Sequence, residues 1–383
     1  MPITLNGDTG ITTPMYNGSI TANAVTPSVN MKNRIINGAM VIDQRNAGAS
    51  MTSATNGSYS LDRWGVQNNS GASRFTLQQN AGSVTPPVGF SNYLGITSTS
   101  AYSIASGDVC GFYQNIEGFN TADLNWGTAN AKTVTLSFWV RSSLTGTFGG
   151  AVKNSADNYS YPFTYTISAT NTWEQKSITV AGPTAGTWVG ATNGIGIKIN
   201  FSLGTGADYS GTAGSWSGNA YYSATGATSV VGTNGATFYI TGVQLEVGST
   251  ATSFDYRPYG TELALCQRYY AQSVSTVAAS SLYNTGTSVY NVGWNYSGGS
   301  WVGGSAKLPI TMRSTPSCTV YTNSTSASST PNRVTYFQGS WSNVAAAVTG
   351  QTNENYISIE NSGSSGSTGN NLIQFHYVAS AEL

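Results

Sequence analysis

The stretch that most constrains this chain is 237–270, TFYITGVQLEVGSTATSFDYRPYGTELALCQRYY, because its hydrophobic period changes partway along. In the first part Phe238, Ile240, Val243, Leu245 and Val247 alternate, with a one-residue slip at Gly242. Alternation with period two marks a strand with one buried face. A slip at glycine predicts a β-bulge. From Glu262 onward Leu263, Cys266, Tyr269 and Tyr270 stand three and four apart, the spacing of one helix face. Pro258 and Gly260 precede this segment, and Thr261 stands where an N-cap belongs. A lone helix of about ten residues is marginal in water. It must pack on its own chain or on copies of it. One β-unit therefore ends here, an extended segment crosses it, and a short helix opens a second unit.

Composition decides what kind of β-protein this is. Charged residues are 8% of the 383, and there are 45 glycines. Low charge with many small polar residues can mean disorder, but 9 Trp, 23 Tyr and 12 Phe supply the apolar area that disordered chains lack. The expectation is an all-β protein with many turns. Fifteen basic and 15 acidic residues cancel, with no Lys/Arg run, so no nucleic-acid partner is expected. No stretch of about 20 apolar residues predicts membrane insertion, and MPITLNGDTG lacks the basic and apolar regions of a secretory signal. Cys110, Cys266 and Cys318 are odd in number and far apart, which fits free, mostly buried thiols. With the single His376 they show no metal-ligand spacing.

In chain order, residues 1–32 hold turn formers and no periodic stretch, and read either as a disordered leader or as an N-terminal arm that orders on a partner. Residues 33–255 read as a jelly-roll β-sandwich. NRIINGAMVI predicts two short strands about Asn37-Gly38, and YSLDRWGV one strand. The clearest strand is TVTLSFWVR, with Val134, Leu136, Phe138 and Val140 on one face. CGFYQNI, WEQKSITV and GIKINFSL also alternate. Residues 204–236 form a long polar stretch placed at one end of the sandwich; loops of this length are often functional. Residues 256–270 are linker and short helix, and 271–383 a second, smaller β-sandwich domain.

The run GVQLEVGSTATSFDYRPYGTELALCQRYY, the upstream NRIINGAMVIDQRNAG and YSLDRW, and the downstream LPITMRSTPSCTVY and AEL together resemble bacteriophage tail-fibre and related virion proteins. The resemblance spans roughly residues 30–383 and is densest from QLEVG to QRYY. There the run follows a carbohydrate-binding-module-like jelly roll. A coarser likeness, SFWVR followed by Trp-Glu-Gln and a terminal QLEVG strand, is similar to family 4/9-type carbohydrate-binding modules. The resemblance implies a structural phage virion protein that binds host-surface polysaccharide, a parallel homotrimer, and an arm at 1–32 docked to other virion proteins. Assembly in the host cytoplasm is implied with it. A capsid fibre or decoration protein is the alternative. Modules of the resembled type often carry structural calcium, for which Asp62, Glu246 and Asp255 are the matching acids; no other cofactor is expected.

The same residues bear on catalysis and on binding. Glycan cleavage needs two carboxylates at set separation, and no two acids here form such a pair. GxSxG, a P-loop and HExxH are absent, and His376 in QFHYV reads as a strand residue. The chain is expected not to be an enzyme. Sugar binding needs exposed rings beside amides or carboxylates. Trp216, Tyr221 and Tyr222 with Asn219 in the long polar stretch, Tyr159 in NSADNYSYPF, and Trp294 and Trp301 in the second unit are the candidate ligand-binding residues. Trp64, Phe138 and Trp139 are expected in the core instead.

Overall fold

The inward-facing alternation seen in the sequence builds most of the first β-unit. Its strands are β1 (Tyr59–Leu61), β2 (Trp64–Asn68), β3 (Phe75–Gln79), β4 (Leu94–Ser98), β5 (Val109–Glu117), β6 (Val134–Ser142), β7 (Gly146–Lys153), β8 (Ser160–Ile167), β9 (Glu174–Val180), β10 (Ile195–Thr205) and β11 (Thr237–Val247). They form two antiparallel sheets, ordered β8-β7-β10-β5-β2-β1 and β9-β6-β11-β4-β3. The chain keeps crossing between the sheets, as in a jelly-roll sandwich. The computed structural model describes residues 31–274 without a break, then 277–278, 282, 289–297, 300–322, 331–337, 341–345, 348–349, 352–361 and 369–383, and near the N-terminus only the paired strands Thr4–Asn6 and Gly10–Thr12. For those two strands and for 289–297, 300–304, 336–337, 341–345, 348–349, 361 and 369–371 the description is of backbone alone. The expected arm at 1–32 thus lies almost wholly outside the described residues.

Between the sheets, Trp64, Phe112, Phe148 and Phe201 meet Leu136, Phe138, Phe238 and Ile240, all buried. Phe112 and Phe201 stack at 5.2 Å between centroids, and Phe138 meets Phe201 edge-on at 5.1 Å. Such pairs add about 0.5–1.5 kcal/mol each beyond the area they bury. Trp139, expected in the core, is half-buried on the opposite face of β6. The predicted bulge is present: the register of β11 on β6 slips between Thr241 and Gln244, and Gly242 has φ +62°. A Cβ there would come within 2.5 Å of the Phe90 ring. The slip returns Val243 and Leu245 to the core side that Ile240 already occupies.

Two expectations fail locally. Residues 33–42 form no strand. The reason is that side-chain amides supply the partners a ladder would have given. Asn33 Nδ2 donates to Val243 O at 3.1 Å, and its Oδ1 accepts from the Ile35 and Leu245 amides. Asn37 Nδ2 donates to Ile42 O at 2.8 Å and Asp62 O at 3.0 Å, with its own backbone at φ 58°. YSLDRWGV is not one strand but the hairpin β1–β2, turned at Arg63, φ 72°.

Helix α1 (Tyr259–Gln267) starts earlier than the spacing predicted. Pro258 is its N-cap rather than Thr261, and Tyr270 has already entered strand β12 (Tyr270–Gln272). Cys266 and Tyr269 pack against Ile36 and Ile42, with Met31, Val41, Leu263, Leu265 and Leu383 around them. The helix therefore finds cover within its own chain.

The second unit comprises β12 with β13 (Val289–Ser297), β14 (Ser300–Lys307), β15 (Ser317–Tyr321), β16 (Arg333–Phe337), β17 (Trp341–Ala345), β18 (Val348–Thr349), β19 (Tyr356–Asn361) and β20 (Gly369–Ser380). Its spine is β20. The first half of that strand pairs with β13 and β16, and the second half with β12 and β15. Val320, Val334, Ile357, Phe375 and Ala379 share its core. The three cysteines are free, Cys110 and Cys266 buried and Cys318 half-buried. Among the described residues no helix is long and apolar enough to cross a membrane.

Candidate functional site

The strand period that fills the core also decorates the outer face of the six-stranded sheet. With Phe112 and Ile116 turned in on β5, Tyr113 and Asn115 turn out; with Ile197, Ile199 and Phe201 in on β10, Lys198 and Asn200 turn out. On β7, Val152 is inward and Lys153 outward. Register then sets these residues side by side. Lys198 lies opposite Asn115 on one flank and Lys153 on the other, and Asn200 lies opposite Tyr113. Together with Asp157 and Tyr222 they line a pocket of about 200 Å³.

Two lysines directly opposite one another repel. Asp157, in the β7–β8 turn, answers both: its Oδ1 is 2.8 Å from Lys153 Nζ and its Oδ2 accepts from Lys198 Nζ at 2.6 Å. Asn154 fixes that turn by accepting from the Asn158 and Tyr159 amides, both at 3.1 Å. Lys153 is 1% exposed, and its Nζ sits 3.0 Å from the centroid of the Tyr222 ring. Burial pulls its ammonium down to about 7, against the opposing pull of Asp157. For Asp157 burial pushes upward, but the two lysines outweigh it and hold the carboxyl below its ordinary value. Burial raises the Tyr222 phenol to about 12.

Among the described residues three buried acceptors in this wall have no hydrogen-bond donor: the amide oxygens Asn115 Oδ1 and Asn200 Oδ1, and Asp157 Oδ1, which meets Lys153 as an ion pair only. Asn115 Nδ2, by contrast, is held by Leu383 O at 2.8 Å. The Tyr113 ring packs against Gly65, where a Cβ would come within 2.5 Å of it. The pocket thus combines ring surfaces, amide oxygens that can accept from hydroxyls, two lysine amines and one carboxylate. This suits a polyhydroxylated ligand; a lone carboxylate engaged by two lysines is not the pair that glycoside cleavage uses.

Of the candidate ligand-binding residues whose side chains are described, Tyr222 lines this pocket and the others do not. Trp216 lies at the centre of a separate aromatic cluster. Tyr159 stacks on it (5.5 Å, 10°), Trp126, Trp188 and Tyr161 close around it, and its indole N–H donates to Ala181 O at 2.8 Å. Tyr221 packs over Gly211, and the backbone carbonyl of exposed Asn219 accepts from Ser160 Oγ at 2.6 Å. The long polar stretch is thereby tied to the β8 edge, with Ser160 bridging Ser217. Trp294 and Trp301 fall on β13 and β14, Trp301 opposite Asn295, but their side chains lie outside the described residues.

The three acids considered for calcium have separate protein donors. Asp62 accepts from Gln44 N and Nε2, both at 2.7 Å. Glu246 accepts from Gln244, Thr252 N and Thr252 Oγ1, and Asp255 Oδ2 from the Asn33 amide at 3.3 Å. Among the described residues no three His, Cys, Asp or Glu side chains are grouped to hold a metal. His376 is buried on β20, its Nδ1 2.9 Å from Ser273 Oγ. Lys153, Lys198, Tyr113, Asn115 and Asn200 were not singled out, although for β5 and β10 the outward positions of the alternation pointed to them.

No family model matches the sequence, and no curated protein does. Solved structures similar to part of the chain include the enzymatically active domain of tailspike protein 4 from bacteriophage CBA120 (14% identity, TM-score 0.32, 57% of this chain and 22% of that one). Others are the family 11 carbohydrate-binding module from Clostridium thermocellum (11%, 0.26, 52% and 97%) and the N-terminal cellulose-binding domain of Cellulomonas fimi β-1,4-glucanase C (13%, 0.25, 54% and 98%). The chain spans about a fifth of the tailspike structure.

Proposed function

We propose that this chain is a structural fibre protein of a phage virion that recognises host-surface glycans without cleaving them, and that the outer face of the six-stranded sheet is its glycan site. The observation that carries the binding reading is the pair of donorless amide oxygens, Asn115 Oδ1 and Asn200 Oδ1, in a pocket walled by the Tyr113 and Tyr222 rings. Buried acceptors without partners are costly, and sugar hydroxyls supply the missing donors while the rings take C–H faces. The virion assignment draws on the sequence runs resembling tail-fibre proteins. Those runs converge in space: Asn37 N–H donates to Glu262, Arg63 pairs with Glu382, and Gln44 Nε2 donates to Tyr270 O at 3.0 Å. In this reading the N-terminal arm attaches to other virion proteins, three chains associate, and the second β-unit points outward.

The test is binding of fluorescently labelled chain to a panel of bacterial strains, before and after enzymatic removal of surface glycans. Strain-selective staining lost on stripping is the expected result. Staining of no strain by a folded protein would leave a purely structural virion role.

A further inference from the structure

The side chains lining the sheet-face pocket bring two lysine amines to one shared carboxylate. We infer that the sugar unit it takes carries a carboxylate, held by Lys198 beside Lys153, with hydroxyls on Asn115 and Asn200; this rests on the glycan-binding reading above. The β-register fixes the two lysines next to each other, and among the described residues Asp157 is the one carboxylate side chain lining the pocket with them. Each of its oxygens already faces one lysine. Lys198 donates to Asp157 and keeps further N–H groups at the open side, where its side chain is 16% exposed. The other nearby groups do not answer it. Leu383 O is taken by Asn115 Nδ2 and the Tyr59 hydroxyl, Gln67 is turned to Asn56, and the Glu382 carboxylate is shared by Arg45 and Arg63.

The amide oxygens narrow the ligand further. A bare inorganic anion would meet the cations but set its own oxygens against Asn115 Oδ1 and Asn200 Oδ1, two acceptors. A neutral sugar would satisfy those acceptors but give Lys198 no anion beyond the Asp157 it shares with Lys153. A sugar acid does both. The pocket, about 200 Å³, is smaller than the roughly 300–1,000 Å³ of clefts for drug-sized ligands, so it fits a single unit of a longer glycan.

The experiment is an array of bacterial surface polysaccharides in which each uronate-containing member is printed beside its carboxyl-reduced, neutral form. It is probed with the full chain and with Lys198→Gln and Tyr222→Ala, each checked for wild-type circular dichroism. The expected result is binding to acidic members that falls at least tenfold on carboxyl reduction and at least tenfold in Lys198→Gln. Binding that survives carboxyl reduction, or that Lys198→Gln leaves unchanged, overturns the carboxylate inference while keeping glycan recognition. Binding to no member, acidic or neutral, overturns both. Loss in Tyr222→Ala but not in Lys198→Gln would place a neutral sugar in the pocket and likewise overturn the inference.

Discussion

Arg268 and Glu117, 151 residues apart in sequence, hold each other by two parallel hydrogen bonds, Nε to Oε2 at 2.9 Å and Nη2 to Oε1 at 2.6 Å. The Tyr269 hydroxyl donates to the same Oε2 at 2.6 Å. This fork joins the end of α1 to the end of β5 and so ties the second β-unit to the first. Around it the Arg63 guanidinium lies 3.6 Å from the Tyr269 ring centroid, and Arg45 lies 3.7 Å from that of Tyr270. Arg313 donates to Ala381 O at 2.9 Å and Glu382 O at 3.0 Å. The joint is polar, and its strength depends on every charge being answered.

Glu117→Gln tests that dependence. Burial works to raise the Glu117 carboxyl, yet Arg268 and Tyr269 together hold it below its ordinary value. The variant leaves a guanidinium facing a neutral amide. Breaking a buried pair costs about 3–5 kcal/mol; because Arg268 is 30% exposed, the expected loss is near the lower end, about 3 kcal/mol by urea unfolding. Arg268→Lys should recover only part of it, since an ammonium cannot make the fork. An unchanged midpoint in Glu117→Gln would mean the fork does not hold the joint.

Asp62 gives the joint a pH signature. Burial pushes its carboxyl from 3.8 up to about 7, against the opposing effects of Arg45 and the two Gln44 hydrogen bonds. The folded chain therefore keeps a proton that the unfolded chain has released. Stability from this group is fully present below about pH 4 and is lost as pH rises toward 7. At about 1.4 kcal/mol per unit the swing is on the order of a few kcal/mol. The unfolding free energy of wild type minus Asp62→Asn should fall from pH 4 to 7 and then level. A flat difference would show that Asp62 titrates as an ordinary aspartate.

How much of this was legible in the sequence follows from where the information lies. The strands β5, β6, β10 and β11 announce themselves because each buries one face, and alternation is a local signal. The strand β7 does not, because GTFGGAVK reads as a turn. Its glycines serve close packing: a Cβ on Gly150 would come within 2.3 Å of Asn200 O and 2.4 Å of the Phe163 ring. Missing that strand hid Lys153 and with it the lysine pair. The joint was illegible for another reason: Arg63 and Glu382 are 319 positions apart, and no spacing rule links them. Trp216 was visible as an aromatic in a polar stretch, but whether a ring is open or packed depends on Tyr159 and Trp188, which the fold brings to it.

The bulge in β11 offers a test of backbone rather than charge. Gly242 holds φ +62°, where a side chain costs roughly 1–2 kcal/mol, and its Cβ would also displace the Phe90 ring. Gly242→Ala should lower stability by about 2 kcal/mol or more in thermal or urea unfolding. A loss under half a kcal/mol would mean that the strand shifts register to absorb the methyl group.

The last prediction separates the two aromatic sites. Trp216 packs against four rings and the core, so Trp216→Ala should act mainly on folding. A fully buried aromatic costs about 3–5 kcal/mol on truncation; half-buried Trp216 should cost about 2–3 kcal/mol. Below its unfolding midpoint the variant should still bind surface polysaccharide within about twofold of wild type. Tyr222 packs edge-on to Tyr209 at 5.6 Å and covers Lys153, so Tyr222→Ala should cost less stability and, by stripping one ring from the pocket, reduce binding at least tenfold. Parallel measurement of unfolding midpoints and polysaccharide affinity on the two variants decides the matter. If Trp216→Ala abolishes binding at full stability while Tyr222→Ala does not, the sugar platform lies in the Trp216 cluster, and the sheet-face pocket is not the site.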